Sequence, residues 1–169
     1  MKPVTFTLRS FTIEDIDSVA ENANSIKVSE YLRDRFPYPY TKKDAEEFIT
    51  VIAASGESKI FAIDVDGCAV GAIGLITQGD VYRKTIELGY WLGEKYWNNG
   101  IISAAIKEVV DYTFKNYDVV KIFAKVFDSN KTSAKVLEKN GFVLEARLKN
   151  QVFKSNVILD ELVYAKYKE

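Results

Sequence analysis

The sequence predicts a single α/β domain with a mixed β-sheet, and three observations predict it. Stretches with the two-residue period of strands alternate along the chain with stretches of the 3.6-residue period of helices. The 169 residues, 47% hydrophobic and 28% charged, have the length and balance of one folded domain with a continuous core. No internal repeat, low-complexity tract or linker-like composition breaks the chain, so residues 1–169 read as one domain.

Val4, Phe6 and Leu8 alternate with Thr5 and Thr7, an opening strand. Thr12 with Asp15 has the spacing of a capping box and starts a helix through about Ala23. The run YLRDRFPYPYT sets Pro37 and Pro39 among aromatics and reads as an irregular loop. Thr41 with Asp44 repeats the capping signal before Ala45, Phe48, Ile49 and Ile52 on one helical face. Ile60 to Val65 and Cys68 to Ile76 flank Asp66-Gly67, a two-residue hairpin turn. A loop around Gly79 leads to a third strand, Thr85 to Leu92. Asn98-Asn99-Gly100 then opens a helix with Ile102, Ala105, Ile106, Val109 and Thr113 on one side. Val119 to Phe127 is a further strand, Asn130 caps a short helix through about Lys139, and Asn140-Gly141 stops it. Two strands, near Phe142 to Leu148 and Val157 to Tyr167, complete the order.

Composition narrows the chemistry. The chain has no histidine, which excludes a Ser–His–Asp triad, a Cys–His pair and every His-based metal site. Proton transfer falls to carboxylates, Tyr, Lys, Ser, one thiol or water. The formal net charge of −1 offers no general field for phosphate backbones, so nucleic acid is not an expected partner. Cys68 stands alone, so no intrachain disulfide forms, and a reducing cytoplasm is the expected compartment. Next to a hairpin turn, it is expected as a small buried apolar residue. The N-terminal stretch lacks the apolar core of a signal peptide, and Cys68 to Ile76 is far too short for a membrane helix, so no membrane partner is expected.

Glu87 to Phe114, ELGYWLGEKYWNNGIISAAIKEVVDYTF, is the most informative segment. A strand, a short Asn/Gly loop and an amphipathic helix in that order aim free backbone N–H groups and a positive helix end at one point, which suits a pyrophosphate. Gly100 lets a ligand approach, and Asn98 and Asn99 tolerate positive φ. On the loop alone, a plain strand–loop–helix turn accounts for the pattern equally well.

From Glu87 onward the chain resembles the acetyl-CoA-binding motif of the GNAT superfamily of N-acetyltransferases, and more narrowly its ribosomal-protein N-terminal acetyltransferase branch. Gly89 to Leu92 with Tyr96 to Gly100 is similar to that branch's "GYWL…YWxxG" strand and loop. NKTSAKVLEKNGF, Asn130 to Phe142, is similar to its helix-to-strand motif, and RDRFPYPYTKKDAEEFI, Arg33 to Ile49, to its first helical region. The resemblance implies the GNAT fold: a mixed, mostly antiparallel sheet, splayed at the acetyl-CoA site and flanked by helices.

It also implies a set of site residues. The backbone amides of Asn98, Asn99, Gly100, Ile101, Ile102 and Ser103 would cradle the pyrophosphate, with Trp97 beside them. The strand Leu88, Gly89, Tyr90, Trp91 and Leu92 would pair with the pantetheine arm, Asn130 would hydrogen-bond it, and Ser133 would sit near the sulfur. Trp97 stands where the superfamily has Gln or Arg. Ile102 stands where it has a small residue, and is expected to point into the core. Leu137 occupies the position where many members carry a Tyr that protonates the departing thiolate. Ser133 is the candidate substitute donor; the bland alternative is a helix-start hydroxyl bonded to backbone. Glu87 is the candidate base through water; its alternative is a strand-edge carboxylate paired with Arg83 or Lys84. Tyr31, Phe36, Tyr38 and Tyr40 are candidate walls of an acceptor pocket, or covers of the core. No metal is implied.

The implied activity is acetyl transfer from acetyl-CoA to a primary amine by direct attack on the thioester. An α-amine, with a pKa of about 7.7–8.0, loses its proton more readily than a lysine amine near 10.4, a difference of about 3.4 kcal/mol. A protein or peptide N-terminus is therefore the favoured acceptor. A polyamine, an aminoglycoside or another small amine is the alternative within the same chemistry. A non-catalytic acyl-CoA-binding module and a purely structural interaction domain are alternatives outside it. A homodimer is among the assemblies the resemblance allows.

Overall fold

The computed structural model describes residues 4–56 and 58–169, so the first three residues of the N-terminal stretch lie outside the described residues. The described strands form one seven-stranded sheet: β1 (Thr7–Arg9), β2 (Ser58–Val65), β3 (Cys68–Thr77), β4 (Thr85–Leu92), β5 (Lys121–Phe127), β6 (Val143–Lys154) and β7 (Val157–Tyr167). Their order across the sheet is β1-β2-β3-β4-β5-β7-β6. Every neighbouring pair is antiparallel except β4 and β5, which run parallel. A parallel pair needs a crossover, and α4 (Ile101–Asn116) supplies it. The mixed, mostly antiparallel sheet agrees with the sequence-based expectation.

Two buried clusters sit on opposite faces of the sheet. On one face α4 packs Ile101, Ala105, Ile106, Val109 and Val110 against Ile63, Ile73, Leu75, Ile86, Leu88 and Ile122. Helix α5 (Lys131–Lys139) adds Ala134 and Leu137 to this cluster. Each such aliphatic side chain contributes about 1.5–3 kcal/mol on full burial. Thr113 is buried among them because its hydroxyl donates to the Val109 carbonyl at 2.6 Å. On the other face α1 (Ile16–Ala23), α2 (Ile26–Ser29) and α3 (Lys42–Glu47) cover Ala62, Ala69, Ala72 and Trp91 with Val19, Ala23, Val28 and Ala45.

Both capping boxes form. Asp15 accepts from the Thr12 amide at 2.9 Å and Asp44 from the Thr41 amide at 2.7 Å. The first box opens a 3₁₀ turn, Ile13–Asp15, that leads into α1. The hairpin turn takes the left-handed conformation at both Asp66 (φ 53°) and Gly67 (φ 83°), as a primed two-residue turn requires.

Several expectations are corrected. Ile52 is exposed rather than on the buried face, because α3 runs into a π-helical turn, Phe48–Ile52, whose wider i→i+5 bonding rotates the face away. The short helix α2 lies inside a stretch with no periodicity long enough to reveal it. Strand β6 continues to Lys154, beyond Leu148, and closes on β7 through Ser155 (φ 50°) and Asn156 (φ 61°), a second turn of the primed kind. Cys68 is exposed, at the rim of the sheet where the chain leaves the turn. In α4 the fully buried residue of the first turn is Ile101; Ile102 packs on the core half-buried.

Candidate active site

Strand pairing places the site. β4 and β5 pair only at Thr85–Lys121, Ile86–Ile122 and Glu87–Phe123. β4 stays paired with β3 up to Leu92, and β5 with β7 up to Phe127. From Leu88 onward the two parallel strands therefore diverge, and the sheet opens between them. The residues of β4 facing this gap present backbone groups that no strand satisfies, which an extended amide-bearing ligand can pair with.

At the end of β4 lies the loop that precedes α4. Asn98 (φ 61°) and Gly100 (φ 76°) take left-handed conformations, and Gly100 is the N-cap of α4 with no side chain capping it. By contrast, Thr41 caps α3 and Asn130 caps α5 through their side chains. The first bond within α4 runs from the Ala104 amide to the Gly100 carbonyl at 3.1 Å. Among the described residues, the backbone amides of Asn98, Asn99, Gly100, Ile101, Ile102 and Ser103 have no acceptor. A methyl group built on Gly100 would meet no atom within 4 Å, so the space beside the Gly100 Cα is open. Consecutive free N–H groups at a helix N-terminus fit the diphosphate of a coenzyme A.

The loop itself is braced. The Trp97 indole donates to the Leu92 carbonyl at 2.8 Å, and the residue remains 36% exposed. The Asn99 amide group donates to the Tyr96 and Trp97 carbonyls at 3.1 and 3.0 Å. Asn140, which the sequence offered only as a helix stop, donates to Ser103 Oγ at 3.1 Å and to the Val136 carbonyl at 2.9 Å. A carbonyl only accepts, so Val136 fixes the Asn140 amide with its NH₂ inward. Ser103 Oγ then accepts from Asn140 and keeps its own proton for a ligand.

The two faces of β4 carry different groups. Ile86, Leu88, Tyr90 and Leu92 face the α4–α5 side, while Glu87 and Trp91 face the α1–α3 side. Tyr90 reaches Ser133 in the first turn of α5, the two hydroxyl oxygens 2.6 Å apart. Burial pushes the Tyr90 phenol up to about 12 and the Ser133 bond opposes this, so the phenol stays protonated throughout neutral pH. Ser133 thus bonds a side chain, not the backbone, through its hydroxyl; its amide donates to Asn130 Oδ1 at 3.1 Å. That bond leaves the NH₂ of Asn130 for a ligand. Leu137 is wholly enclosed in the core.

Glu87 pairs with neither Arg83 nor Lys84. Arg83 folds back on the Asp80 carbonyl and Lys84 meets Asp118. The partner is Arg33, whose Nη2 lies 2.8 Å from Glu87 Oε1, with the Glu87 side chain 16% exposed. Sequence proximity pointed to the wrong cations because a carboxylate on a strand meets what crosses its face. Next along the same loop, Asp34 is paired with Lys154 of β6 at 2.8 Å. The loop is thereby tied across the α1–α3 face from β4 to the β6–β7 hairpin.

Of the aromatic candidates, Tyr38 is exposed and Tyr31 half-buried. Phe36 packs edge-on against Trp91 with centroids 5.5 Å apart, and against Tyr40 at 4.8 Å. Tyr40 is buried in the second cluster, and burial pushes its phenol up to about 12. It is therefore a core residue beneath the loop rather than an open wall.

A family model for the acetyltransferase (GNAT) domain matches residues 5–143. The chain belongs to the GNAT acetyltransferase family. An uncharacterized N-acetyltransferase, p20 of Bacillus licheniformis, is 26% identical over 94% of this chain and 90% of its own length. A ribosomal-protein-serine acetyltransferase of Escherichia coli (strain K12) is 31% identical over 66% of this chain and 62% of its own. A solved structure of a ribosomal L7/L12 alpha-N-protein acetyltransferase in complex with coenzyme A superposes with a TM-score of 0.84, covering 98% of this chain and 96% of that one at 20% identity. The overall fold is thus shared with that acetyltransferase structure.

Proposed function

We propose that this GNAT domain transfers the acetyl group of acetyl-CoA to a primary amine, and that its acceptor is a protein or peptide N-terminal α-amine. The observation that carries the reading is the row of free amides from Asn98 to Ser103 at the uncapped N-terminus of α4, placed beside the gap between β4 and β5. These amides, with the Ser103 hydroxyl, would hold the diphosphate, and Asn130 and the open edge of β4 the pantetheine. When bound, acetyl-CoA supplies an acetyl group activated as a thioester.

The chain's own groups divide the remaining work across the sheet. Ser133 stands on the α4–α5 face, bonded to Tyr90, and can donate a hydrogen bond to a departing sulfur. Glu87 stands on the opposite face, where an amine can approach past Tyr31, Phe36 and Tyr38. A free ammonium has no lone pair, so Glu87, through water, takes a proton from the amine. Arg33 holds the Glu87 carboxylate in place until the acceptor arrives. The low proton affinity of an α-amine suits a site with one carboxylate and no histidine. The named ribosomal-protein acetyltransferases among its relatives support an N-terminal acceptor.

Mass spectrometry of a peptide and small-amine panel, incubated with the protein and labelled acetyl-CoA, tests this. Acetyl groups on peptide α-amines are expected. Modification of polyamines or aminoglycosides alone would replace the acceptor, and tight acetyl-CoA binding without any product would reduce the protein to a binding module. Glu87→Gln should flatten the acidic limb of the pH–rate profile; an unaltered profile removes Glu87 as base.

A further inference from the structure

We propose that Tyr90 is a positioning residue whose hydroxyl donates to Ser133 Oγ and so turns the Ser133 proton toward the sulfur of coenzyme A. The inference rests on the acetyl-transfer reading and deepens it. In this chain the tyrosine expected on α5 is replaced by Leu137, which is sealed in the core and carries no proton to give. The structure brings a different phenol from β4 to the first turn of α5, one turn before Leu137, 2.6 Å from the Ser133 hydroxyl.

The direction of that bond follows from which proton has somewhere else to go. Among the described residues, the Tyr90 hydroxyl has no partner except Ser133. Tyr90 is half-buried and Ser133 Oγ is the acceptor in its reach; a hydroxyl proton shielded from water without an acceptor costs about 1–3 kcal/mol, which favours the Tyr90 proton on Ser133 Oγ. A serine oxygen has two lone pairs and one proton. With a lone pair taken by Tyr90, the Ser133 proton is left to point into the half-exposed space at the mouth of the gap. Were the bond reversed, Ser133 would spend its proton on Tyr90 and offer the sulfur only lone pairs, which repel a thiolate. Burial, by holding the phenol un-ionised, keeps the bond in the useful direction. The Ser133 amide bond to Asn130 fixes the serine backbone from the other side.

The step balances without net loss from either hydroxyl. The amine lone pair forms the C–N bond, the C–S bond breaks and its electron pair stays on sulfur. The amine's proton leaves by Glu87 and water, and solvent protonates the free thiolate later. Ser133 stabilises the thiolate by a hydrogen bond, reinforced by the positive end of α5.

Two measurements on the folded protein test this, one of them independent of turnover. The first is the ultraviolet titration of the coenzyme A thiol bound to wild type, Tyr90→Phe, Ser133→Ala and the double variant. Wild type should lower the thiol pKa below its value in free coenzyme A. Tyr90→Phe should reverse most of that shift, and the double variant should lose no more than Ser133→Ala alone. The second is steady-state kinetics: Tyr90→Phe should lower kcat on the order of tenfold to a hundredfold, short of the loss from removing a direct donor, with KM for acetyl-CoA unchanged. An identical thiol titration in wild type and Tyr90→Phe, or losses that simply add in the double variant, overturns the proposal while leaving acetyl transfer intact. Failure of the wild-type protein to bind coenzyme A at all sinks the transfer reading and this inference with it.

Discussion

Leu137 is enclosed on all sides by the cluster under α4 and α5, which makes a direct test of whether a phenol is needed there. A tyrosine at this position adds a ring edge and a hydroxyl to a filled space, so Leu137→Tyr should destabilise the fold by about 1–3 kcal/mol and leave kcat no higher. Denaturant unfolding and initial rates read both; a faster enzyme would show that the thiolate lacks a donor in the native chain. Asn140 offers the opposite case, a residue whose loss spares the fold. Asn140→Ala removes the bond that leaves the Ser103 proton free, so the KM for acetyl-CoA should rise about three- to tenfold, the equivalent of one hydrogen bond, with kcat retained. At this scale the sequence offered Glu87, Ser133 and the loop amides as candidates, because chain-local motifs carry them. It did not disclose Arg33, Tyr90 or Asn140 as their partners. Those contacts span 54, 43 and 37 residues of chain, and no periodicity or spacing encodes a pairing between side chains on separate elements.

At the scale of elements, the loop before α4 is proposed to work through its backbone shape. Gly100 sits at φ 76° with nothing near the place of its missing Cβ, so a side chain there suffers backbone strain of about 1–2 kcal/mol and also stands in front of the amides. Gly100→Val should therefore weaken coenzyme A binding in calorimetry well beyond its effect on melting temperature; unchanged affinity would remove the amides from the site. The N-terminal elements rest on a different device. Arg9 of β1 donates to Asp15 at 2.7 Å and to Asp64 of β2 at 2.7 Å, joining the first strand, the start of α1 and the first hairpin. Burial alone would push the Asp15 carboxyl up, but the Arg9 guanidinium and the Thr12 amide outweigh it and the net direction is down. A carboxyl depressed in the folded state contributes stability that is present above its unfolded value near 3.9 and is lost as the pH falls through its lower folded value. Asp15→Asn should thus lower stability at pH 7 and shrink the difference from wild type in strongly acidic solution. Equal losses at both pH values would assign the effect to packing instead. Helix caps and the Asp66-Gly67 turn were readable because a few adjacent residues determine them. The π turn at Phe48–Ile52 and the long β6 were not, since each depends on what the segment packs against.

Across the whole molecule the sheet is two half-sheets, β1–β4 and β5–β7–β6, held edge to edge by the short run from Thr85–Lys121 to Glu87–Phe123. Beyond that run the shared cluster under α4 and α5, the Tyr90–Ser133 bond and the Arg33–Asp34 segment held between Glu87 and Lys154 cross the seam. A strand order of this kind follows from the alternation of hairpins and helices in the sequence, but the point at which two parallel strands part does not, because it is set by the space the helices leave. The seam has a consequence for ligand binding. A coenzyme A that lays its pantetheine along the open edge of β4 and its diphosphate on α4 supplies the contacts the two halves do not make with each other. Binding only the folded state, at about a hundred times its Kd, it should add about 2.7 kcal/mol of stability, a rise in melting temperature on the order of 5–10 °C for a chain of this size. Hydrogen exchange should locate the gain: amides of Leu88 to Leu92 and Ala124 to Phe127 should slow on binding, together with Asn98 to Ser103, while those of the α1–α3 face change little. Slowing confined to the loop would mean that the diphosphate is held but the gap is not filled. Slowing spread evenly over the sheet would mean that the halves already move as one body and that the splay is not where the ligand lies.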